Sequence, residues 1–305
     1  MVGFLFAGQG SQYVGMGKDL YESFLEAAKV FDRAEELLGF ELKRICFDGP
    51  EETLKSTNVS QPAIVTASIA AYEVFKTKSN LVPSFAAGLS LGEYSALIAA
   101  GSLTFDDGIR LIQKRGQIME EASRKHPGKM AAVLELPLET LRDICLKSGA
   151  EIANLNCPGQ VVITGKAEAV NQAMELCSQA GAKRVIPLEV SGGFHSSLMS
   201  EASVELKLVL DNIPVSEPKI PVISNYTAQP QYKVGQIIEN LVHQIRGSVR
   251  WEESMRFILS QGVTNFIEFG PGKVLKGLMR RIDSNAQVTN IEKTADIEQL
   301  ANTRP

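Results

Sequence analysis

Residues 84–103, SFAAGLSLGEYSALIAAGSL, carry the pattern on which the fold prediction depends. An apolar run opens the stretch and predicts a buried strand, and a helical pattern closes it. Between them, Gly88-Leu89-Ser90-Leu91-Gly92 has the spacing Gly-x-Ser-x-Gly. Glycines two residues before and two residues after a serine let the backbone bend sharply, so that the hydroxyl stands exposed at the carboxyl edge of a sheet. We therefore expect an α/β fold with Ser90 at such an edge.

The helix that begins near Gly92 is expected to point its N-terminal amides and the positive end of its dipole at this serine. An oxyanion formed there would meet donors that are already in place. A Gly/Ser-rich turn without chemistry has the same local string, so the motif alone leaves both interpretations open. The strand-turn-helix context favours a nucleophile.

A change in pattern at about residue 126 indicates an inserted unit. From there to about residue 190 the order is strand, helix, strand, strand, helix, strand, which is typical of ferredoxin-like domains. We therefore predict a large α/β-hydrolase-like domain with a parallel sheet at residues 1–125 and 198–305. A ferredoxin-like (βαββαβ) subdomain is predicted at residues 126–197.

Three helices of the large domain have readable ends. The apolar spacing predicts one helix from about Asp19 to Leu38. Residues 60–76 predict a second helix, capped by Ser60 with Pro62 in its first turn. Thr104 begins a third helix as a capping box with Asp107.

Composition and charge exclude several classes of function. The chain has 305 residues, 44% of them hydrophobic, and a net charge of −4, which argues against non-specific nucleic-acid binding. No apolar run is long enough to cross a membrane, and no basic segment precedes the first apolar run. We therefore expect a cytoplasmic protein. The four cysteines and three histidines lack metal-ligand spacing, so no metal site is expected.

His195 is the best-placed histidine to act as a base for the serine. It lies in SGGFHSS at 191–197, where two glycines allow unusual backbone angles. His126 adjoins a Pro-Gly break and His243 lies within a helical pattern. A histidine engaged only in local hydrogen bonding is the alternative. No aspartate is a convincing orienter, so we expect a dyad whose base is held by a carbonyl or an amide.

Two further segments have both a structural and a functional interpretation. Gly8-Gln9-Gly10 follows the first strand and predicts either a plain turn or a backbone amide close to Ser90. Arg115 lies within a helix beside Gly116, which is unfavourable in a helix interior. A solvated arginine is the simple interpretation, whereas a planar guanidinium in a cleft could bind a carboxylate bidentately.

Taken together, the chain resembles the malonyl-CoA:acyl-carrier-protein transacylase family, the acyltransferases of fatty-acid and polyketide synthesis. The similar stretches span nearly the whole chain in the family's order. They are FAGQGSQYVGMG at 6–17, SQPAIVTAS at 60–68, GLSLGEYSAL at 88–97, QKRGQIM at 113–119, NLNCPGQVVITG at 154–165, GFHSSLM at 193–199 and FIEFGPGKVL at 266–275.

The resemblance implies transfer of a malonyl group from malonyl-CoA to the phosphopantetheine thiol of acyl carrier protein. Ser90 and His195 would be catalytic, with a malonyl-serine intermediate and ping-pong kinetics. The backbone amides of Gln9 and Leu91 would form the oxyanion hole. Malonyl-CoA and acyl carrier protein would be the partners, no cofactor would be needed, and we expect a monomer.

The resemblance also assigns residues that select the substrate or support the base. Arg115 would pair with the free malonyl carboxylate. The main-chain carbonyl of Gln244 would orient the histidine, and Gln61 matches a pocket position. Phe194 resembles the malonyl-selective version and disfavours a branched acyl group. Many relatives have His at the position of Leu89 in this chain. The leucine makes the pocket more apolar.

Two other classes of protein stay open at this stage. A serine hydrolase or thioesterase with the same turn predicts a carboxylate-backed triad and a histidine near the C-terminus, for which His243 is the candidate. A non-catalytic carrier-protein docking module is the second alternative, although intact Ser90, His195 and Arg115 argue against it. The sequence does not separate fatty-acid synthesis from a free-standing polyketide acyltransferase.

Overall fold

A mostly parallel sheet forms the centre of the fold in this computed structural model, which describes residues 1–302 and only the backbone of residues 300–302. In spatial order its strands are Gln287–Ile291 (β10), Asn265–Phe269 (β9), Val2–Phe6 (β1), Phe85–Gly88 (β2), Val222–Ile223 (β7) and Pro230–Gln231 (β8). All neighbouring strands are parallel except β7 and β8. Phe6 lies opposite both Gly88 and Phe269, so the loops after β1, β2 and β9 begin at one edge.

The helices that cover this sheet come from the chain segments before and after the inserted unit. Those before it are Lys18–Ser23 (α1), Leu25–Leu38 (α2), Leu42–Asp48 (α3), Glu51–Lys55 (α4), Thr57–Lys78 (α5), Gly92–Ala99 (α6) and Phe105–Lys125 (α7). Those after it are Ser200–Leu210 (α10), Val234–Gln244 (α11), Trp251–Ser260 (α12), Val274–Ile282 (α13) and Thr294–Asn302 (α14), with a 3₁₀ turn at Ser197–Met199.

A separate antiparallel sheet forms the inserted unit. Its strands in spatial order are Glu151–Cys157 (β4), Gln160–Lys166 (β5), Gly128–Leu134 (β3) and Arg184–Pro187 (β6). Leu138–Ser148 (α8) and Ala167–Gln179 (α9) complete the chain order β3-α8-β4-β5-α9-β6. The predicted fold class, a parallel α/β part with a ferredoxin-like βαββαβ unit, is therefore confirmed. The domain boundaries at 125/126 and 197/198 stay a prediction.

Aromatic side chains fix the longest buried helix, α5, on the sheet. The ring of Phe4 meets Phe75 edge-on at 5.5 Å and Phe269 at 5.0 Å between centroids. Tyr72 packs against the same Phe269 ring at 5.5 Å. Such edge-to-face pairs stabilise beyond the area that they bury. Strands β1 and β9 are thereby tied to α5, which sets the position of the loop after β1.

Two predicted helices differ from the structure. The helix expected from Asp19 to Leu38 is broken at Phe24, where extended backbone (φ −134°, ψ 127°) separates α1 from α2. The next helix, α5, begins at Thr57 rather than near Ser60, so Pro62 lies inside it. Pro62 has no N–H to donate to the preceding turn. Ser60 and Pro62 are buried, and tertiary packing outweighs the local preference.

Further expectations from the sequence concern the start of α7, the cysteines, membrane-spanning helices and metal sites. The hydroxyl of Thr104 accepts a hydrogen bond from the N–H of Asp107 at 3.1 Å, as predicted for the start of α7. All four cysteines are buried free thiols. Among the helices that the structure describes, none is both long and apolar enough to cross a membrane. Residues 1–302 contain no group of three or more His, Cys, Asp or Glu side chains placed to hold a metal ion.

Candidate active site

Ser90 lies on a tight turn between β2 and α6. The turn requires glycine two residues before and two residues after the serine. Its φ of 50° places it in the left-handed region, which is unusual for a residue with a side chain. A Cβ atom on Gly88 would lie 2.0 Å from the carbonyl carbon of Gly92. A Cβ atom on Gly92 would lie 2.2 Å from the carbonyl oxygen of Phe6. The spacing Gly-x-Ser-x-Gly is therefore a steric requirement of this turn.

His195 is in hydrogen-bond contact with the serine, although 105 residues separate them in sequence. Its Nε2 lies 2.8 Å from Ser90 Oγ, and its Nδ1 lies 2.7 Å from the carbonyl oxygen of Gln244. Because a carbonyl only accepts, Nδ1 carries the proton and Nε2 is free to accept the serine proton. The Thr164 hydroxyl donates to the carbonyl of Phe194 at 2.8 Å and so ties this loop to β5.

The surroundings of His195 keep its imidazole neutral. The side chain is 5% exposed, and burial lowers its pKa from 6.5 to about 4. The positive charge of Arg115 contributes to this lowering and the hydrogen bond to the Gln244 carbonyl opposes it, so that about 4 is the net pKa. At neutral pH the ring is therefore in the form that can accept a proton.

Two backbone amides beside the serine are available as donors. The N–H groups of Gln9 and Leu91 donate to no acceptor in the part of the chain that the structure describes. The loop after β1 lies directly against the turn, since a Cβ atom on Gly8 would be 2.4 Å from the carbonyl oxygen of Leu89. Gln9, Leu89 and Ser90 all border one cleft.

Arg115 brings a positive charge to the serine. It is 1% exposed, and its Nη2 donates to Ser90 Oγ and to Gln244 Oε1, both at 3.3 Å. Its guanidinium carbon lies 5.1 Å from the centroid of the Tyr94 ring, and its Nε has no partner. No carboxylate of residues 1–302 forms an ion pair with it. The charge of Glu93 interacts with Arg115, but the two side chains form no ion pair. A buried cation without an anion in direct contact is costly, which makes this a site for an anion.

Gly116 is needed for the packing of two helices rather than for the approach of a substrate. A Cβ atom there would lie 3.0 Å from Cα of Asn58 and 3.1 Å from the carbonyl oxygen of Thr57. The first turn of α5 therefore presses against α7 at this point. The close approach of another helix therefore explains a glycine that is otherwise unfavourable in a helix interior.

A cleft of about 470 Å³ lies between the parallel-sheet part and the antiparallel sheet. Ser90 and His195 border it from one side, and residues of β3, β4 and β5 border it from the other. Phe194 also lines it. A second, more open depression of about 550 Å³ touches His195 from the far side but does not reach Ser90. A substrate of the serine would therefore enter through the first cleft.

The remaining predicted residues lie at different distances from the chemistry. Gln61 is buried behind Gln9, and its Nε2 donates to Gln9 Oε1 at 3.3 Å. Its own Oε1 has no partner. His243, the candidate base of the hydrolase alternative, stacks on Tyr226 at 4.9 Å and contacts Arg246. It makes no contact with Ser90.

Sequence reasoning missed a buried polar network behind the turn. Asn225 accepts a hydrogen bond from the N–H of Ser90 and donates to the carbonyl of Gly88 at 2.8 Å. The carboxylate of Glu93 accepts from the N–H of Asn225 and from the side chain of Gln244. The available signals were the position of Glu93 directly after the motif and of Asn225 two residues after the apolar strand β7.

The fold is that of the acyltransferases, as comparisons with known proteins show. The acyl transferase domain family matches residues 3–298, and the chain belongs to that family. A malonyl CoA-acyl carrier protein transacylase of Bacillus subtilis (strain 168) is 46% identical over 302 residues, 97% of this chain and 95% of that relative. The family resemblance seen in the sequence is thus confirmed.

Solved structures of relatives have the same fold. An acyl carrier protein S-malonyltransferase from Vibrio cholerae has a TM-score of 0.95 at 39% identity, covering 98% of this chain and 99% of that one. A malonyl-transacylase in complex with a type II PKS acyl-carrier protein has a TM-score of 0.96 at 38% identity, covering 99% of both chains.

Proposed function

We propose that this chain transfers the malonyl group of malonyl-CoA to the phosphopantetheine thiol of acyl carrier protein through an ester on Ser90. One geometric observation carries the proposal: a serine hydroxyl 2.8 Å from a neutral imidazole, beside a buried guanidinium that lacks a carboxylate partner. The names of the similar proteins support both substrates.

In the first half-reaction, Ser90 Oγ attacks the thioester carbonyl carbon and its proton passes to His195 Nε2. The carbonyl oxygen becomes an oxyanion, which the N–H groups of Gln9 and Leu91 would stabilise. When the intermediate collapses, the C–S bond breaks and the leaving sulfur takes the proton from His195. Free CoA and a malonyl ester of Ser90 result.

The second half-reaction reverses these steps with a different thiol. The phosphopantetheine thiol gives its proton to His195 and attacks the ester carbonyl. The C–O bond breaks, and Ser90 Oγ regains the proton from His195. An acyl group moves between oxygen and sulfur without oxidation or reduction, so we propose that no cofactor takes part.

The other site residues would select and position. Arg115 would bind the malonyl carboxylate, because charge-assisted bidentate pairs are the strongest hydrogen bonds that a guanidinium makes. Gln244 would hold His195 through its carbonyl, in place of a triad aspartate. Phe194 would limit the space for a branched acyl group, and Gln61 would support Gln9. A cytoplasmic location and a monomeric state stay predictions.

Intact-protein mass analysis after incubation with malonyl-CoA tests the proposal. The wild type should gain one malonyl group, and Ser90→Ala should gain none. A docking module without catalysis would show no adduct in either protein. Replacing the histidines one at a time separates the hydrolase alternative: loss of acylation in His195→Ala supports the transferase, whereas loss only in His243→Ala would contradict it.

A further inference from the structure

A buried carboxylate lies behind the nucleophile turn and has no part in the acyl-transfer steps. Glu93, in the first turn of α6, is 0% exposed. Its Oε1 accepts from Gln231 Nε2 at 2.7 Å. Its Oε2 accepts from the backbone N–H of Asn225 at 3.0 Å and from Gln244 Nε2 at 2.7 Å. The carboxylate thus joins the ends of β7, β8 and α11 to the helix that follows the serine.

One branch of this network holds the nucleophile. The Asn225 side chain accepts from the N–H of Ser90 and donates to the carbonyl of Gly88, so it fixes both sides of the turn. The N–H of Asn225 is in turn held by Glu93. Ser90 occupies a left-handed conformation that an L side chain adopts at a cost, and such a conformation persists where its surroundings fix it.

The other branch holds the base. The Gln244 carbonyl accepts from His195 Nδ1 at 2.7 Å, while its side-chain Nε2 donates to both Glu93 and the carbonyl of Ser90. Its Oε1 accepts from Arg115. Glu93 accepts the shorter of the two hydrogen bonds that Nε2 donates, 2.7 Å against 3.0 Å, so it contributes to holding Gln244, whose carbonyl holds His195.

We propose, on the basis of the proposed function, that Glu93 is a positioning residue for malonyl transfer: its ionised carboxylate fixes Ser90 through Asn225 and His195 through Gln244. In a Ser-His-Asp triad a carboxylate touches the histidine directly. Here the carboxylate acts through two residues: it accepts from the main chain of Asn225, whose side chain holds Ser90, and from the side chain of Gln244, whose main-chain carbonyl holds His195.

The ionised form is the one that the network requires. Two donors face Oε2 and one faces Oε1, and Glu93 donates to no acceptor among the described residues, so a proton on its carboxyl group would have no hydrogen-bond partner. Among the described residues, Arg115 on α7 is the cation that faces Glu93, and Tyr94 is the neighbouring titratable group. Asn225, Gln231 and Gln244 are neutral. Burial raises the pKa of Glu93 from 4.5 to about 7, while these three donors and Arg115 oppose the rise.

The test compares Glu93→Gln with a matched control in single-turnover malonylation of Ser90. Glu268 is equally buried, also has a pKa raised to about 7, and accepts from the N–H groups of Leu275 and Lys276 at the start of α13. It has no link to the dyad. Glu93→Gln should slow acylation about 10- to 100-fold without changing the KM for malonyl-CoA, as expected for misplaced reacting groups. Glu268→Gln should keep the wild-type rate.

The pH profile supplies a readout that a purely structural role would not change. In the wild type, acylation should fall as the pH drops through about 7, where Glu93 gains its proton, and fall again near 4, where His195 does. Glu93→Gln should lack the first fall, and Glu268→Gln should retain it. Gln231→Ala removes a donor to the charged carboxylate, so it should move the first fall to higher pH.

The outcomes separate this inference from the proposed function. A wild type that forms no malonyl ester on Ser90 would overturn the function. A wild type that is acylated, together with a Glu93→Gln rate equal to wild type or equal losses in both Gln variants, would overturn the positioning role. If Glu93→Gln does not fold, Gln231→Ala decides: an unshifted profile in that variant rejects the inference.

Discussion

Replacing Arg115 by alanine should remove most of the preference for malonyl over acetyl groups. The guanidinium is buried, donates only to neutral oxygens at 3.3 Å, and has an Nε without a partner. A malonyl carboxylate would supply the missing anion. An acetyl group would leave the cation buried and unpaired.

The size of the effect follows from that unpaired charge. Removing one partner of a buried ion pair costs about 3–5 kcal/mol. At about 1.4 kcal/mol per factor of ten, this corresponds to a loss of about 10²- to 4 × 10³-fold in kcat/KM for malonyl-CoA in Arg115→Ala. Acetyl transfer should rise relative to wild type, because the variant no longer buries an unpaired cation and the pKa of His195 is no longer lowered by that charge.

The assay measures kcat/KM with malonyl-CoA and with acetyl-CoA against one carrier protein. Arg115→Lys is the first control: it keeps the charge but not the planar fork, and should retain only part of the preference. Arg110→Ala, on an exposed position of the same helix, should behave as wild type. Equal losses on both substrates in Arg115→Ala would show that Arg115 is only structural and would refute the reasoning.

Two further predictions concern the stability of the site and its width. The folded protein favours neutral His195, so between pH 6.5 and 4 it binds fewer protons than the unfolded chain, and its free energy of unfolding falls as the pH drops. In urea unfolding, the wild type should lose on the order of 3 kcal/mol relative to His195→Leu across that window. Parallel pH dependences of the two proteins would contradict the prediction. Phe194 is buried and lines the cleft, so Phe194→Leu should raise the ratio of methylmalonyl to malonyl transfer in competition assays, and an unchanged ratio would show that the ring does not limit the acyl group.

The parts of the fold that sequence predicted well are those set by local signals. The turn at Ser90 requires glycines at fixed spacing because backbone atoms of Phe6 and Gly92 leave no room for a Cβ atom. The capping of α7 by Thr104 likewise depends on residues one turn apart. Such requirements are visible in the string itself, and so is the order of elements in the inserted unit.

The parts that sequence did not predict depend on burial between distant segments. Helix α5 begins before Ser60 and Pro62, and its buried first turn packs against α7 at Gly116, which no local pattern reports. Glu93 reads as an ordinary helix residue, since its three donors come from positions more than 130 residues away. The carbonyl of Gln244 was assigned from the family resemblance, because a main-chain oxygen leaves no trace in the sequence.

The charge of Arg115 couples recognition of the acyl group to the strength of the base. Burial and this charge together lower the pKa of His195, so the imidazole is a weak base. A malonyl carboxylate bound to Arg115 would offset that charge, and the imidazolium formed when Ser90 attacks would then be less unfavourable. An acetyl group carries no such charge and would leave the base weak. The preference for malonyl should therefore arise in the chemical step as well as in binding, because the carboxylate favours the transition state more than the bound substrate.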